Sequence, residues 1–455
     1  MKAASLRGKT VAGALGAAAI ICMLMPALAT AAPHIRVGGL ARSGAGSVPT
    51  DAECRALGYG PCYSPQEMRT AYGLNNLIDA GMVGSGQTIV LIESYGSPTV
   101  AADLQTFDQD YGLPDPPSLT VISPLGTVPF DPNDSGQVGW AFETTLDVQW
   151  AHAIAPGAAI VVMTSPVAET EGVQGMPEFL ALEKYALDHH LGKIISQSWG
   201  ATENTLFDAA GRKILDDFSA FYERARSERV TVFASAGDSG SSNVELDSVT
   251  IYPFPTVGFP ASSPLVTAVG GTSLYLDTAG HYQSETVWDE VALGGGAGGG
   301  GISQVFREPG YQRETLPGHA QGQLDHYRGI PDISYNADPY TPILVYVGFL
   351  GSANAGYYFI GGTSEGSPQW AGIAADLNQY AGQPLGFLNP ALYSIGGSGH
   401  FRDIGRDIKV GNNGYNGVPG YAATPGWDLA TGWGTPDLDK IMHHALELLD
   451  PTTDD

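Results

Sequence analysis

Five short apolar runs with the composition of buried β-strands recur along the first half of the chain. They lie at 88–92, 119–122, 159–163, 193–196 and 230–234. Helical stretches, such as 178–190 and 206–228, lie between these runs. Strands that alternate with helices are typical of a parallel sheet with helices on both faces. The sequence therefore predicts an α/β fold with a doubly wound, mostly parallel sheet, in one large domain over 64–450.

A candidate nucleophile follows in the second half of the chain. Residues 361–368 read Gly-Gly-Thr-Ser-Glu-Gly-Ser-Pro, and a helix-like run continues over 369–380. A serine at the start of a helix has its hydroxyl lifted by a tight turn, and the free N–H groups of the first helical turn can bind an oxyanion. Pro368 suits this position because a missing N–H costs little there. We therefore expect Ser364 to be the nucleophile.

The same tetrapeptide, Gly-Gly-Thr-Ser, also occurs at 270–273. It follows an apolar run and leads into a strand-and-turn pattern at 274–280. No helix is predicted to begin there, so the hydroxyl of Ser273 lacks the helix-start setting. Ser364 is the preferred candidate for this reason.

The base that accepts the serine proton is predicted to be a carboxyl group. Glu143 and Asp147 are four residues apart, so they share one face of a predicted helix. Two carboxylates in a dry site share a proton, and such a pair can take the serine proton and return it to a leaving amine. A solvated helix face is the alternative. Aromatic neighbours and the Ala-Pro-Gly-Ala at 155–158 favour the buried pair.

These two motifs and several others, in the same order, resemble the sedolisin family, the serine-carboxyl peptidases. The resemblance runs from about Ser64 to the C-terminus. The further matching blocks lie at 196–200, 234–240, 298–312, 328–334 and 426–432. The resemblance implies a subtilisin-like fold and an enzyme that works in acid. Family members commonly have Ser where this chain has Gly361, and a large folded prodomain where this chain has residues 32–63.

The resemblance also assigns catalytic roles. It implies that Ser364 attacks the peptide carbonyl, that Glu143 is general base and then acid, and that Asp147 orients Glu143. Asp238 and the Ser364 N–H would hold the oxyanion, and a carboxyl group can donate that hydrogen bond only when it is protonated. An aspartate that merely caps a turn is the alternative for Asp238.

Two further residues fit positions that extend the carboxylate network in some relatives. Glu93 lies at the end of an apolar strand, and Trp199 lies in the Ser-Gln-Ser-Trp-Gly block at 196–200. A carboxylate that faces solvent at a strand end is the alternative for Glu93.

The C-terminal region resembles the calcium loop of the family, which implies one structural Ca²⁺. Calcium binds carboxylate and carbonyl oxygens together. The expected ligands are the side chains of Asp407 and Asp428 and the carbonyls of Ile408, Thr424 and Gly426. Arg-Asp-Ile occurs twice, so Asp403 with Ile404 is a competing register. A plain turn region rich in Gly and Asn is the other alternative.

The N-terminus predicts export. Residues 1–31 combine a basic start, an apolar run and small-residue cleavage sites, which is typical of a signal peptide. A retained membrane anchor is the alternative. Residues 32–63 form a short leader in which Cys54 and Cys62 could form a disulfide in an oxidising compartment.

The net charge limits the classes of binding partner that we expect. The chain has 47 acidic and 21 basic side chains, a formal net charge of −26. This charge disfavours nucleic acid and anionic membranes as partners. We expect a secreted, monomeric, calcium-bound endopeptidase that cleaves proteins and peptides. The alternatives are a silent relative that binds peptides, a tripeptidyl peptidase, and a subtilisin-type enzyme with a histidine base.

Overall fold

The computed structural model describes residues 36–43, 48–58, 60–293 and 295–441. The predicted signal peptide lies outside these residues. The helices are α1 (Asp51–Ala56), α2 (Pro65–Ala71), α3 (Asn75–Asp79), α4 (Val100–Tyr111), α5 (Ser135–Ile154), α6 (Met176–Asp188), α7 (Ala209–Ser227), α8 (Gly310–Thr315), α9 (Gly318–Leu324), α10 (Gly366–Ala381) and α11 (Asn389–Gly397). The strands are β1 (Arg36–Ser43), β2 (Thr88–Ser94), β3 (Leu119–Ile122), β4 (Ala159–Ser165), β5 (Ile194–Gln197), β6 (Ala201–Thr202), β7 (Thr231–Ser235), β8 (Gly258–Phe259), β9 (Thr267–Leu276), β10 (Tyr282–Val287), β11 (Gly301–Arg307), β12 (Tyr327–Ile330), β13 (Ile333–Asn336), β14 (Ile343–Val347), β15 (Gly356–Gly361), β16 (Gly405–Arg406) and β17 (Thr435–Pro436).

The main sheet has the strand order β10-β9-β7-β5-β2-β4-β3, and β13 also pairs with β9. Its pairs are parallel except for β10, which runs antiparallel to β9. The five strands predicted from the sequence are β2, β3, β4, β5 and β7. The prediction of a doubly wound, mostly parallel α/β sheet is therefore confirmed.

Alternate residues of the central strand β2 belong to different cores. Ile89 and Leu91 are part of the cluster that contains residues of α5 and α10, whereas Val90 and Ile92 are part of the cluster that contains residues of α6 and α7. Side chains of a strand point alternately to the two faces of its sheet, so both faces of β2 are covered by helices. This explains why its sequence is apolar throughout.

A second sheet supports the predicted nucleophile, and the leader contributes to it. In this sheet β15 lies between β14 and β1, and both of these run antiparallel to it. Arg36 of β1 pairs with Gly361, at the end of β15 that leads to the turn containing Ser364. The described part of the leader is thus built into the sheet that precedes Ser364.

The candidate site lies where parallel strands end. Glu93 lies near the carboxyl end of β2, Ser198 follows β5, and Asp238 follows β7. Ligand sites of open α/β sheets lie at this edge. No helix within the described ranges has both the length and the apolar composition needed to cross a membrane.

Candidate active site

Ser364 lies in a single 3-10 turn, Thr363–Glu365, directly before α10. We call this turn the nucleophile turn. The Ser364 side chain is fully buried. The turn requires glycine at two preceding positions. Gly362 has φ +104°, and a Cβ on Gly361 would lie 2.6 Å from the backbone nitrogen of Pro339. The serine that relatives have at position 361 therefore has no space here, which gives the sequence difference a structural reason.

Glu143 lies beside Ser364. Burial raises the pKa of Glu143 well above its usual range and the charge of Asp147 raises it further, whereas the hydroxyl of Ser364 lowers it. The Ser364 oxygen and both Glu143 carboxyl oxygens nevertheless lack a hydrogen bond of standard geometry within the described structure. The contact is therefore longer or less well aligned than a standard hydrogen bond, as is common for catalytic groups without substrate.

Asp147 is anchored by Ser198. The Ser198 hydroxyl is 3.0 Å from Oδ1 and 2.9 Å from Oδ2 of Asp147. Burial raises the pKa of Asp147 to about 8, although hydrogen bonds with Ser198, Glu93 and Glu143 oppose this. Ser198 thus fixes the carboxyl group that lies one helical turn from Glu143.

Glu93 reaches the same cluster from β2. It is fully buried, and the hydroxyl of Thr144 on α5 donates to its Oε2 at 3.4 Å. Burial raises the pKa of Glu93 well above its usual range, and the charges of Asp147 and Glu143 raise it further. Glu93 therefore does not face solvent.

The three carboxyl groups of Glu93, Asp147 and Glu143 form one cluster, which we call the carboxyl cluster. A carboxylate has only acceptor atoms, so two of them in contact form a hydrogen bond only when they share a proton. The burial and mutual repulsion of these groups favour states that retain a proton. A cluster of this kind can accept a proton at Glu143 while it holds another at Asp147 or Glu93.

Trp199 is also buried nearby, but it lies in an aromatic cluster. Its ring is 4.6 Å from that of Phe179 and 6.0 Å from that of Phe218. Its indole N–H has no hydrogen-bond partner among the described residues. The structure therefore places Trp199 in the core beside the site without a hydrogen bond to the carboxyl cluster.

Asp238 meets the nucleophile turn. Its Oδ1 accepts hydrogen bonds from the Thr363 N–H at 2.8 Å and from the Thr363 hydroxyl at 2.9 Å. The charge of Asp238 raises the pKa of Glu143, so the two carboxyl groups lie close to each other. These bonds hold the side chain at the nucleophile turn, and a role in binding an oxyanion would require a proton on Oδ2, because only a protonated carboxyl group can donate a hydrogen bond.

Ser273 and the histidines lie in different settings. Ser273 is an interior residue of β9, so no helix begins at its hydroxyl. The histidines with recorded polar contacts within the described ranges meet groups other than Ser364. His152 contacts Asp108 at 3.3 Å, and His189, His281 and His400 contact Tyr185, Asp277 and Asp403. Among these titratable groups and those of the carboxyl cluster, Glu143 is the one that contacts Ser364.

The two carboxyl groups expected to bind calcium, those of Asp407 and Asp428, each accept a backbone N–H from the segment 424–426. Asp407 Oδ2 accepts the Gly426 N–H at 3.1 Å, and Asp428 Oδ2 accepts the Thr424 N–H at 2.8 Å. The other oxygen of Asp407, Oδ1, is buried without a partner among the described residues. In contrast, Asp403 is paired with His400 at 2.7 Å.

The donor set fits a hard cation. It combines two carboxylates with three backbone carbonyls, those of Ile408, Thr424 and Gly426, as Ca²⁺ prefers. No group of three or more His, Cys, Asp or Glu side chains that could hold a metal ion occurs in the described ranges. Because carbonyls supply most of the expected ligands here, that finding does not bear on this site. The Lys409 ammonium lies 3.3 Å from Asp407 Oδ2, but its side chain is 55% exposed and can move away.

Cys54 and Cys62 are joined by a disulfide, with their Cα atoms 6.0 Å apart. Cys54 belongs to α1, and Cys62 precedes the helix α2. The bond therefore closes a loop within the leader, directly before the large domain.

The sequence analysis gave no role to three side chains that hold the site. Ser198 binds Asp147, Thr144 binds Glu93, and Thr363 binds Asp238. Each is adjacent in sequence to a predicted site residue: Trp199, Glu143 or Ser364. A hydroxyl residue adjacent in sequence to a predicted site residue was the available signal.

Comparisons with known proteins agree with this geometry. Residues 132–391 match the Subtilase family. The chain is 35% identical to kumamolisin from Bacillus sp. (strain MN-32) over 392 residues, 84% of this chain and 62% of kumamolisin. It is 32% identical to tripeptidyl-peptidase sed4 from Aspergillus fumigatus over 246 residues, 50% of this chain and 37% of that protein. The chain thus spans less than two thirds of these relatives.

A solved structure is similar over most of the chain. It is Pseudomonas sedolisin, a serine-carboxyl proteinase, complexed with two molecules of pseudo-iodotyrostatin. The TM-score is 0.69 at 31% sequence identity, and the match covers 85% of this chain and 98% of that chain. The similarity therefore extends over most of this chain and nearly all of that one.

Proposed function

Since the chain belongs to the sedolisin family of subtilisin-like serine-carboxyl peptidases, we propose that it is a secreted endopeptidase that hydrolyses peptide bonds in acid. The observation that supports this function is the buried carboxyl cluster beside Ser364 at the start of α10. A buried serine next to a carboxyl group that can take a proton is the minimum for acyl transfer by a hydroxyl nucleophile.

In the proposed mechanism Ser364 Oγ attacks the peptide carbonyl while Glu143 accepts its proton. Asp147 and Glu93 stabilise the charge change because they share a proton with Glu143. The oxyanion binds the Ser364 N–H and a proton on Asp238. Glu143 then returns the proton to the leaving amine, and a water molecule, activated in the same way, hydrolyses the acyl-enzyme. Every proton that moves is held by one of these residues.

Buried carboxyl groups outside the carboxyl cluster also contribute more to the stability of the fold at acidic pH. Burial raises the pKa of Asp103 to about 6 and that of Glu171 to about 7. A carboxyl group whose pKa is raised in the folded state stabilises the fold below its unfolded pKa, and this contribution is lost as the pH rises through the folded value. The stabilising contribution of these two groups is therefore lost between roughly pH 4 and pH 7. This direction is consistent with an enzyme that works in acid.

The pH–rate profile tests the function. Because Asp238 can donate only when protonated, we expect cleavage of an unfolded protein to be fastest below about pH 5.5 and to fall towards neutral pH. A substrate blocked at its amino terminus should still be cleaved, which separates endopeptidase action from tripeptidyl release. No cleavage at any pH would favour a silent peptide-binding relative. A neutral optimum would favour a histidine base.

We also propose one structural Ca²⁺, held by Asp407, Asp428 and the three carbonyls named above. The ion would neutralise two acidic loops, and ligand binding to the native state stabilises it by mass action. Export through an oxidising compartment is consistent with the Cys54–Cys62 disulfide. We also expect the enzyme to act on proteins and peptides and to be a monomer. We expect no nucleic-acid partner, and no membrane partner after the signal peptide is removed.

Chelation should lower the melting temperature by roughly 5 °C, the shift expected for an ion present at about 100 times its Kd. Asp407→Asn should melt at the temperature of the chelated protein and should not respond to calcium. Asp403→Asn is the matched control, since it changes the other Arg-Asp-Ile sequence, and it should keep the full calcium response. A melting temperature that is indifferent to chelator in the unchanged protein would remove the ion from this proposal.

A further inference from the structure

A second pair of carboxyl groups, Glu290 and Asp338, lies outside the carboxyl cluster. Asp338 lies between β13 and β14 and is 1% exposed, and Glu290 follows β10 and is partly exposed. Asp338 Oδ1 accepts the Tyr340 N–H at 2.8 Å, whereas no donor of the described residues reaches its buried Oδ2. The side chain hydrogen-bonded to Asp338 on the opposite loop is Glu290. This contact is a hydrogen bond only when the two carboxyl groups share a proton.

Glu290 begins the segment that supports the backbone of Asp238. Its N–H donates to the carbonyl of Gly296 at 2.9 Å, and the next residue, Ala297, donates to the carbonyl of Asp238 at 3.1 Å. A Cβ on Gly296 would lie 2.7 Å from that same carbonyl, so the two backbones are in direct contact. We call the described residues 290–293 and 295–299 the oxyanion segment. A shift of Glu290 would be transmitted to Asp238 through this short connection.

Asp338 lies on the opposite side, next to the nucleophile turn. The carbonyl of its neighbour Ala337 accepts the N–H of Gly362 at 2.6 Å, two residues before Ser364. The N–H of Ala337 in turn donates to Thr272 of β9 at 2.9 Å. Asp338 is therefore attached to the backbone that aims Ser364.

We propose that Glu290 and Asp338 are positioning residues for the peptidase reaction, which join the oxyanion segment to the loop that holds the nucleophile turn. This inference rests on the function proposed above. Asp238 already contacts Thr363 directly. The Glu290–Asp338 contact would be a second connection between the same two parts of the site. The hydrogen bonds from Thr363 hold the side chain of Asp238, whereas the second connection would hold its backbone carbonyl through Ala297.

The charges around the pair make the contact sensitive to pH. Burial and, after it, the charge of Asp338 raise the pKa of Glu290 to about 8. The hydroxyl of Ser273 lowers the pKa of Asp338, which favours the shared proton on Glu290. The other titratable groups that face the pair are Asp289, Tyr275 and Glu365, and all of these are acidic. The contact therefore persists in acid and becomes repulsive as the pH rises through about 8.

Three variants at neighbouring positions test the role in catalysis. Glu290→Ala removes the contact, so we expect kcat to fall about 10-fold at the acidic optimum while KM changes less than about 2-fold, a partial loss of an oxyanion interaction. Glu290→Gln keeps a donor towards Asp338 at every pH, so it should restore kcat. Asp289→Asn removes one neighbouring charge and should behave like the unchanged enzyme. Equal kcat values for the Ala and Gln variants would overturn the proposal.

A second measurement does not require activity. In Ser364→Ala protein, hydrogen exchange of the oxyanion segment, corrected for the intrinsic pH dependence of exchange, should become at least about 10-fold faster between pH 5 and pH 8.5. The additional change Glu290→Gln should abolish this acceleration, whereas Asp289→Asn should leave it in place. If exchange responds to pH equally with Glu290 and with Gln at this position, the proposed role of the Glu290–Asp338 contact is overturned. If exchange behaves as expected but the unchanged protein has no peptidase activity, only the proposed function has failed.

Discussion

Ser364→Ala is expected to reduce peptide cleavage by about 10⁴-fold or more, because the loss of a covalent nucleophile removes the acyl-enzyme route. The hydroxyl lies in a buried turn that the rest of the site surrounds, so a methyl group in its place should leave the fold unchanged. Single-turnover cleavage of an unfolded protein at the acidic optimum measures the effect. Unchanged melting behaviour would show that the lost activity reflects chemistry.

Ser273→Ala is the matched control for this prediction. Both serines end the same tetrapeptide, but Ser273 lies inside β9 and contacts Asp338 instead of Glu143. We expect it to lower kcat by less than about 10-fold, since it affects the site only through the Asp338 contact. A severe loss for Ser273→Ala together with an active Ser364→Ala enzyme would exchange the roles of the two serines.

The local environment of the nucleophile could be predicted from sequence because it depends on local rules. The turn-to-helix boundary at Ser364 requires glycine before it and allows proline soon after it. Glu143 and Asp147 needed only helical spacing to share one face. For Glu93 the sequence left two alternatives open, and the structure selects the buried one because β2 lies in the middle of the sheet.

Contacts between distant segments could not be predicted in the same way. Glu290 and Asp338 are 48 positions apart in the chain and have no shared periodicity. Their contact depends on how β9, β10 and β13 are paired, and no local pattern contains that information. The pairing of β1 with β15 is similar, since a short Gly-rich strand has a weak sequence signal. The close approach of Gly361 to Pro339 is likewise visible only in the folded chain.

Glu143→Gln is expected to lower kcat by at least about 10²-fold, within the usual range for the loss of a general base. The amide keeps the shape of the side chain but cannot accept the Ser364 proton. Asp147→Asn should also be severe, because Ser198 would keep the side chain in place while the cluster loses a group that holds a proton. Both effects are measured as kcat across pH on the same unfolded substrate.

The double variant separates a cooperative cluster from two independent residues. If Glu143 and Asp147 act as one unit, the loss in the double variant should be close to that of Glu143→Gln alone. Glu93→Gln should be milder, since Glu93 is hydrogen-bonded to Asp147, whereas Glu143 is the member of the cluster that contacts Ser364. Its main effect should be a shift of the pH profile to lower pH, because removing its negative charge lowers the pKa of the remaining pair. A harmless Glu143→Gln, or losses that multiply in the double variant, would show that the carboxyl cluster is not the base.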